Sequence, residues 1–182
     1  MGALFSKKNR APNWASDATT GEDLAFYLQL DLEHEPRDVC ELGPGPSGGA
    51  LRYILAMAEA KSVRAVELSE KNRNRLAKAF AKEISAGALT ILPSSPALAD
   101  ASIDIMYGLH GLHCMNSISD VLAELLRILR PGGKLVWGCM SEGDTRVADG
   151  AMRAAGFVEV TVDVTRLKGY ARWTPVVGAK AS

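Results

Sequence analysis

Two carboxylates bracket a glycine-rich stretch early in the chain. Residues 39–49 read VCELGPGPSGG, which sets Glu41 just ahead of Gly43, Gly45 and Gly48 in a G-x-G-x-x-G spacing. Glu67 stands nineteen residues beyond Gly48. Glycines at that spacing let a ligand lie against bare backbone where a strand turns into a helix. A carboxylate at the end of the next strand can accept both hydroxyls of a ribose. Together these features predict an adenosine-containing ligand lying across the first two strands. The charge of Glu41 narrows the choice. A dinucleotide sets its pyrophosphate on the N-terminus of the following helix, and an acid there would repel it. A cationic ligand is attracted instead. No Gly-Lys-Ser/Thr follows the glycines, which excludes a P-loop.

A second set of chemically able residues lies in LHGLHC, where His110 and His113 stand three apart. A histidine, with an ordinary pKa of about 6.5, can take a proton from a hydroxyl, amine or acid that is reacting as a nucleophile. It can equally pack, or cap the next helix. No further cluster of ligands joins the pair to make a zinc site. Cys40, Cys114 and Cys139 lack an activating cation nearby in sequence and read as buried packing. The basic run EKNRNRLAKAFAK has the spacing of an amphipathic helix with a solvated outer face. No aromatic residues interleave with its cations as a single-strand nucleic-acid platform requires.

These residues need elements to position them. RDVCEL, SVRAVEL, ALTIL, IDIMYG and KLVWGC read as short buried strands, and FVEVTVDV and YARWTPVVGA as two more. GGALRYILAMAEA, SEKNRNRLAKAFAKEI, SDVLAELLRIL and EGDTRVADGAMRAAG read as the helices between them. Pro131-Gly132-Gly133 is expected to stop the third of these helices, and Gly156 the fourth. Strand and helix alternate almost throughout, which predicts an α/β fold with a mostly parallel sheet covered on both faces. Thr165 to Gly169 is too short for a parallel crossover, so the last two strands should form an antiparallel hairpin. In such sheets ligands bind beyond the carboxyl ends of the strands, where Glu41, Glu67 and Gly108 all fall.

Ahead of the first strand, residues 1–19 read as a flexible segment. A further helix follows Thr19-Thr20 through EDLAFYLQLDLEH and ends at Pro36. Residues 20–182 are expected to form a single domain, long enough to bury about 70% of its unfolded surface. Lys plus Arg and Asp plus Glu balance at 21 each, so no net field draws the chain to nucleic acid. Three cysteines without tight spacing point to a reducing, cytoplasmic compartment. MGALFSKKNR fits the myristoylation pattern at Gly2, with Ser6 and the basic Lys7, Lys8 and Arg10 following. Because one acyl chain anchors weakly, the basic cluster is the kind of second signal membrane association requires.

Taken in order, ELGPGPSGG, AVELSE, IDIMYGLHGLHCM and LAELLRILRPGGKLVW resemble the successive motifs of class I S-adenosylmethionine-dependent methyltransferases, especially small single-domain members of the methyltransferase type 11 kind. The resemblance runs from about residue 38 to about residue 175. It implies a Rossmann-like, seven-stranded, mostly parallel sheet with one antiparallel strand, and S-adenosylmethionine as cofactor. By position, Glu41 and the backbones of Gly43 and Gly45 would hold the methionine portion. Glu67 would bind the ribose hydroxyls, and Leu68 would pack on the adenine. Gly108, with Leu109 and His110, would line the floor beneath the sulfonium.

One motif departs from the family. Ser94 and Ser95, in ILPSSPALAD, stand where an acid and a small residue usually read the adenine amino group. The N/D-P-P-Y/F signature of RNA-adenine enzymes is absent after the fourth strand, which makes nucleic acid an unexpected substrate. The reading favoured is methyl transfer to a small-molecule or lipid acceptor, with His110 and His113 as candidate proton acceptors. No insertion large enough for an acceptor pocket interrupts the last strands, so a partner protein or a membrane surface would complete it. Two alternatives stand beside this reading: a catalytically silent interaction domain like the N-terminal domain of anamorsin, an iron–sulfur assembly factor, or an RNA or protein methyltransferase that works with a partner.

Overall fold

The computed structural model describes residues 37–56, 60–108, 117–139, 141–162 and 174–182. The expected flexible segment 1–19, the helix before Pro36, the loop carrying Leu109, His110, His113 and Cys114, and the connection between the last two strands lie outside the described residues.

Among the described residues seven strands form one sheet: β1 (Arg37–Leu42), β2 (Ala60–Val66), β3 (Leu89–Leu92), β4 (Ile103–Gly108), β5 (Leu129–Cys139), β6 (Val158–Val162) and β7 (Thr174–Ala179). Their order is β3-β2-β1-β4-β5-β7-β6. β1 through β5 pair in parallel, whereas β7 runs antiparallel to both β5 and β6. The antiparallel strand is therefore inserted second from the edge. Strand order reverses between β1 and β4, and this opens a crevice at their carboxyl ends.

The helices among the described residues are α1 (Gly49–Ala56), α2 (Glu70–Ala79), α3 (Ala81–Ser85), α4 (Ile118–Ile128) and α5 (Glu142–Ala155). Alternation along the strands sends side chains to opposite faces. Val39, Ile105 and Tyr107 pack under α1 and α2 with Leu51, Ile54 and Leu76. Cys40, Met106, Leu135 and Trp137 pack under α4 and α5 with Leu122 and Met152. Each of the longer helices is capped as its sequence suggests. Ser69, Ser117 and Ser141 accept the backbone N–H three residues on, and Gly156 ends α5 in the left-handed region at φ +100°.

Two expectations are corrected. The helix ahead of Pro131 ends at Ile128, not at the Pro-Gly-Gly, which lies inside β5. The carbonyls of Arg127 and Ile128 accept from Ala101 and Ser102, so the chain enters the β4–β5 ladder before the proline is reached. Arg130, which precedes the proline, is disfavoured in a helix in any case. The helix expected over residues 69–84 breaks at Phe80, whose φ of −118° and ψ of 30° leave the helical region. Its ring is buried, and it lies against Gly48.

The amino ends of the strands are tied by charge. Asp38 accepts from Ser62 and Arg130 and faces Arg64 and Lys61; Arg130 also pairs with Asp104 at 2.6 Å. Burial pushes the Asp38 carboxyl up, but the Ser62 and Arg130 hydrogen bonds and the charges of Arg130 and Arg64 outweigh it. The net effect holds the group below its ordinary value. Its contribution to stability is thus present above the unfolded value and lost as pH falls through the folded one. The urea midpoint should drop as pH is lowered from about 5 to 3, with a smaller drop in Asp38→Asn; equal slopes in both proteins would refute this.

Candidate functional site

At the carboxyl end of β1 the ladder runs one step further, the Gly43 N–H donating to the Val66 carbonyl at 2.8 Å. Gly43, Gly45 and Gly48 then adopt φ of +70°, +69° and +58°, values that favour glycine. Their surroundings differ. A Cβ at Gly43 or Gly45 would meet nothing within 4 Å, so both open onto free space. A Cβ at Gly48 would sit 2.7 Å from the Phe80 ring and 2.9 Å from Leu76. Two glycines present backbone to a ligand, and the third lets α2 approach.

Glu67 follows β2 and is 7% exposed. Its Oε2 accepts from the Gly45 N–H at 3.1 Å and its Oε1 from the Ser69 N–H at 2.8 Å. The carboxylate thereby joins the glycine loop to the start of α2. Arg73, one turn into α2, donates from Nη1 to the carbonyls of Glu67 at 2.9 Å and Leu68 at 2.6 Å. This clamp fixes the turn that carries Glu67 and the half-buried Leu68.

Glu41 is 4% exposed and lies opposite Tyr107 in the β1–β4 register. The Tyr107 hydroxyl donates to Glu41 Oε2 at 3.0 Å. Burial pushes the Glu41 carboxyl up to about 8; the tyrosine hydrogen bond works against that shift and the charge of Glu67 adds to it. Among the described residues, no Lys or Arg pairs with either acid through its carboxylate. Two buried acids at the carboxyl ends of β1 and β2, neither paired with a cation among the described residues, suit a positively charged ligand.

Beyond β3, Ser94 is half-buried and extended, and Ser95 opens a 3-10 turn over Ser95–Ala97. Ser95 is 1% exposed and its Oγ has no hydrogen-bond partner, an orphan of the kind a ligand's polar group can satisfy. Gly108 ends β4 beside Trp137 of β5; a Cβ there would come within 3.3 Å of the Leu42 Cβ, so small size is needed. The Cys40 and Cys139 thiols are pushed up to about 12 by burial and are unreactive. Among the described residues no group of three or more His, Cys, Asp or Glu is placed to hold a metal, and no helix is long and apolar enough to cross a membrane.

The structure thus brings Glu41, Gly43, Gly45, Glu67 and Leu68 together across β1 and β2, with Ser94 and Ser95 beyond β3 and Gly108 on β4. His110 and His113 lie outside the described residues. Tyr107 and Arg73 are the residues that sequence reasoning missed. The signal for Tyr107 was a hydroxyl at the same position of IDIMYG that Glu41 occupies in RDVCEL, readable only once those strands are known to pair.

The sequence pattern of a family described as a methyltransferase domain matches residues 40–137. The chain belongs to this family, an enzyme class whose cofactor is S-adenosylmethionine. Solved structures agree in fold. The CurJ carbon methyltransferase superposes with a TM-score of 0.76 at 16% identity, over 93% of this chain and 57% of that longer one. A SAM-dependent methyltransferase from Aquifex aeolicus gives 0.67 at 16% identity, over 91% and 99%. A chain in the complex with the Haloferax volcanii Trm112 methyltransferase activator gives 0.64 at 17% identity, over 93% and 96%. The residues present fit the cofactor: open backbone at Gly43 and Gly45, a pair of buried acids with no cation paired to them among the described residues, and an orphaned buried hydroxyl at Ser95.

Proposed function

We propose that this chain transfers a methyl group from S-adenosylmethionine to a small-molecule or lipid acceptor. The observation that carries the reading is the pair of buried acids, Glu41 and Glu67, set on either side of an open glycine loop. When bound, the cofactor supplies a methyl group on a sulfonium, open to in-line displacement by a lone pair.

The chain's own part is to bind, align and exclude water. Glu41 would hold the cationic methionine end, with the backbones of Gly43 and Gly45. Glu67, in a turn that Arg73 holds in place, would accept the ribose hydroxyls. Leu68 would bind the adenine, and Ser94 and Ser95 would supply hydroxyl acceptors for its amino group. Gly108 would contribute to the sulfonium end. His110 and His113 are proposed as acceptors of the nucleophile's proton.

Balanced charge and the absence of the RNA-adenine signature support a small or lipid acceptor over a nucleic acid. A partner protein is proposed to complete the acceptor pocket, and the Haloferax complex supports that idea by analogy. The proposed setting is cytoplasmic, with membrane association through an acylated Gly2 as the variant that suits a lipid acceptor.

The test is calorimetric titration with S-adenosylmethionine and its demethylated product, followed by transfer of isotopically labelled methyl groups to acceptor panels. Binding with transfer to an extractable lipid or small molecule is the expected result. No binding at millimolar cofactor overturns the enzymatic reading, and labelled RNA or protein overturns the acceptor class.

A further inference from the structure

We propose that cofactor binding takes a proton off Glu41, and that the Tyr107 hydroxyl sets the pH at which that proton leaves. This rests on the cofactor reading above and adds a property of the same site.

The geometry makes the coupling. Glu41 and Tyr107 sit opposite one another on adjacent strands, both buried, with the hydroxyl donating to Oε2 at 3.0 Å. Among the described residues, three titratable groups lie against Glu41. From the turn after β2 the group facing it is another acid, Glu67. From β4 it is Tyr107, and on its own strand it is the neutral Cys40 thiol. On the face of the sheet that carries Val39 and Tyr107, the cover is apolar: Leu51 and Ile54 of α1, Leu76 of α2, and Phe80 just beyond it. Arg73 spends its Nη1 on backbone carbonyls, and Arg52 lies over the Phe80 ring at 4.9 Å.

A carboxyl so placed is mostly protonated at neutral pH when the site holds no cation, since burial and Glu67 both disfavour its charge. Arrival of a cation reverses the balance. The O–H bond of Glu41 breaks, the proton passes to solvent, and the carboxylate remains beside the positive charges. Tyr107 favours the charged form by hydrogen bonding to it. It is therefore a positioning residue whose hydroxyl lowers the pH needed for release. Two consequences follow. With the free carboxyl at about 8, affinity rises with pH up to about 7.5, where the ligand's own amino group begins to lose its charge. Below that point the rise approaches tenfold per pH unit.

The experiment is calorimetric titration of the full chain with S-adenosylmethionine at pH 6.5 in buffers of different ionisation enthalpy. At that pH the ligand's own amino group is already charged, given its ordinary value of about 7.7–8.0. Release of close to one proton per cofactor is expected at this pH, with no release in Glu41→Gln. In Tyr107→Phe the midpoint of the affinity–pH curve should move upward. Binding whose heat is the same in all buffers overturns the inference and leaves the cofactor site standing. A natively folded Tyr107→Phe with an unmoved midpoint overturns the role of the tyrosine. Should that variant not fold, proton release by the unaltered chain still decides the first half. Absence of binding across the pH range overturns the cofactor reading and this inference with it.

Discussion

Replacing Glu67 with alanine is expected to raise the dissociation constant for S-adenosylmethionine about 100-fold or more. A hydrogen bond to a charged group contributes about 1.5–3 kcal/mol, and the carboxylate can accept from both ribose hydroxyls. Loss of two such bonds, partly replaced by water, leaves a penalty of at least about 3 kcal/mol. The substitution also strips the Gly45 and Ser69 N–H groups of their acceptor, which loosens the junction of loop and helix even before ligand arrives. Glu67→Gln separates these effects. Its amide oxygen still accepts one bond, so a loss nearer tenfold is expected. Calorimetry on both variants checks the prediction. An unchanged dissociation constant for Glu67→Ala would mean that the nucleoside does not cross β1 and β2 here.

The second large effect falls on stability. Gly48→Ala places a methyl group 2.7 Å from the Phe80 ring and 2.9 Å from Leu76, at a φ of +58°. Left-handed backbone costs a non-glycine residue about 1–2 kcal/mol, and overpacking a filled core costs about 1–3 kcal/mol more. A total of about 2–5 kcal/mol corresponds to a fall in melting temperature of roughly 5–20 °C for a domain of this size. Gly45→Ala bears only the backbone cost, since open space surrounds it. It should melt within a few degrees of the parent and lose cofactor affinity instead. Thermal melts and titrations on the two variants make a crossed comparison. Equal melting temperatures would show that Phe80 yields freely and that the third glycine is not there for packing.

Much of the fold was legible in the sequence because its strands are short, apolar and bounded by breakers. RDVCEL and IDIMYG fall on β1 and β4 to the residue, and Gly156 ends its helix as expected. The boundaries that moved were set by tertiary contacts. Phe80 leaves the helix because its ring is needed over Gly48, and the chain leaves α4 at Ile128 because the β4–β5 ladder reaches back past Pro131. In the candidate site, the acids and glycines were visible as types and spacing. Their mutual contact was not, since the Gly45 bond to Glu67 depends on the loop's path. Tyr107 was hidden for a related reason. Its meaning depends on which strand lies beside β1, and strand order leaves no local mark on the chain. Arg73 looked like one more cation on a solvated helix face, yet it reaches back to carbonyls five and six residues earlier.

The place of β7 bears on how the chain is made. Among the described residues β6 joins the sheet only through β7, which follows it in sequence. As the chain emerges during synthesis, β6 has no docked neighbour to pair with, and the edge of β5 stands open until residues 174–179 appear. β1 to β5 can meanwhile assemble in the order they are made. The crevice between the carboxyl ends of β1 and β4 thus belongs to the part of the sheet that forms early, while an exposed edge persists next to it until β7 slides in.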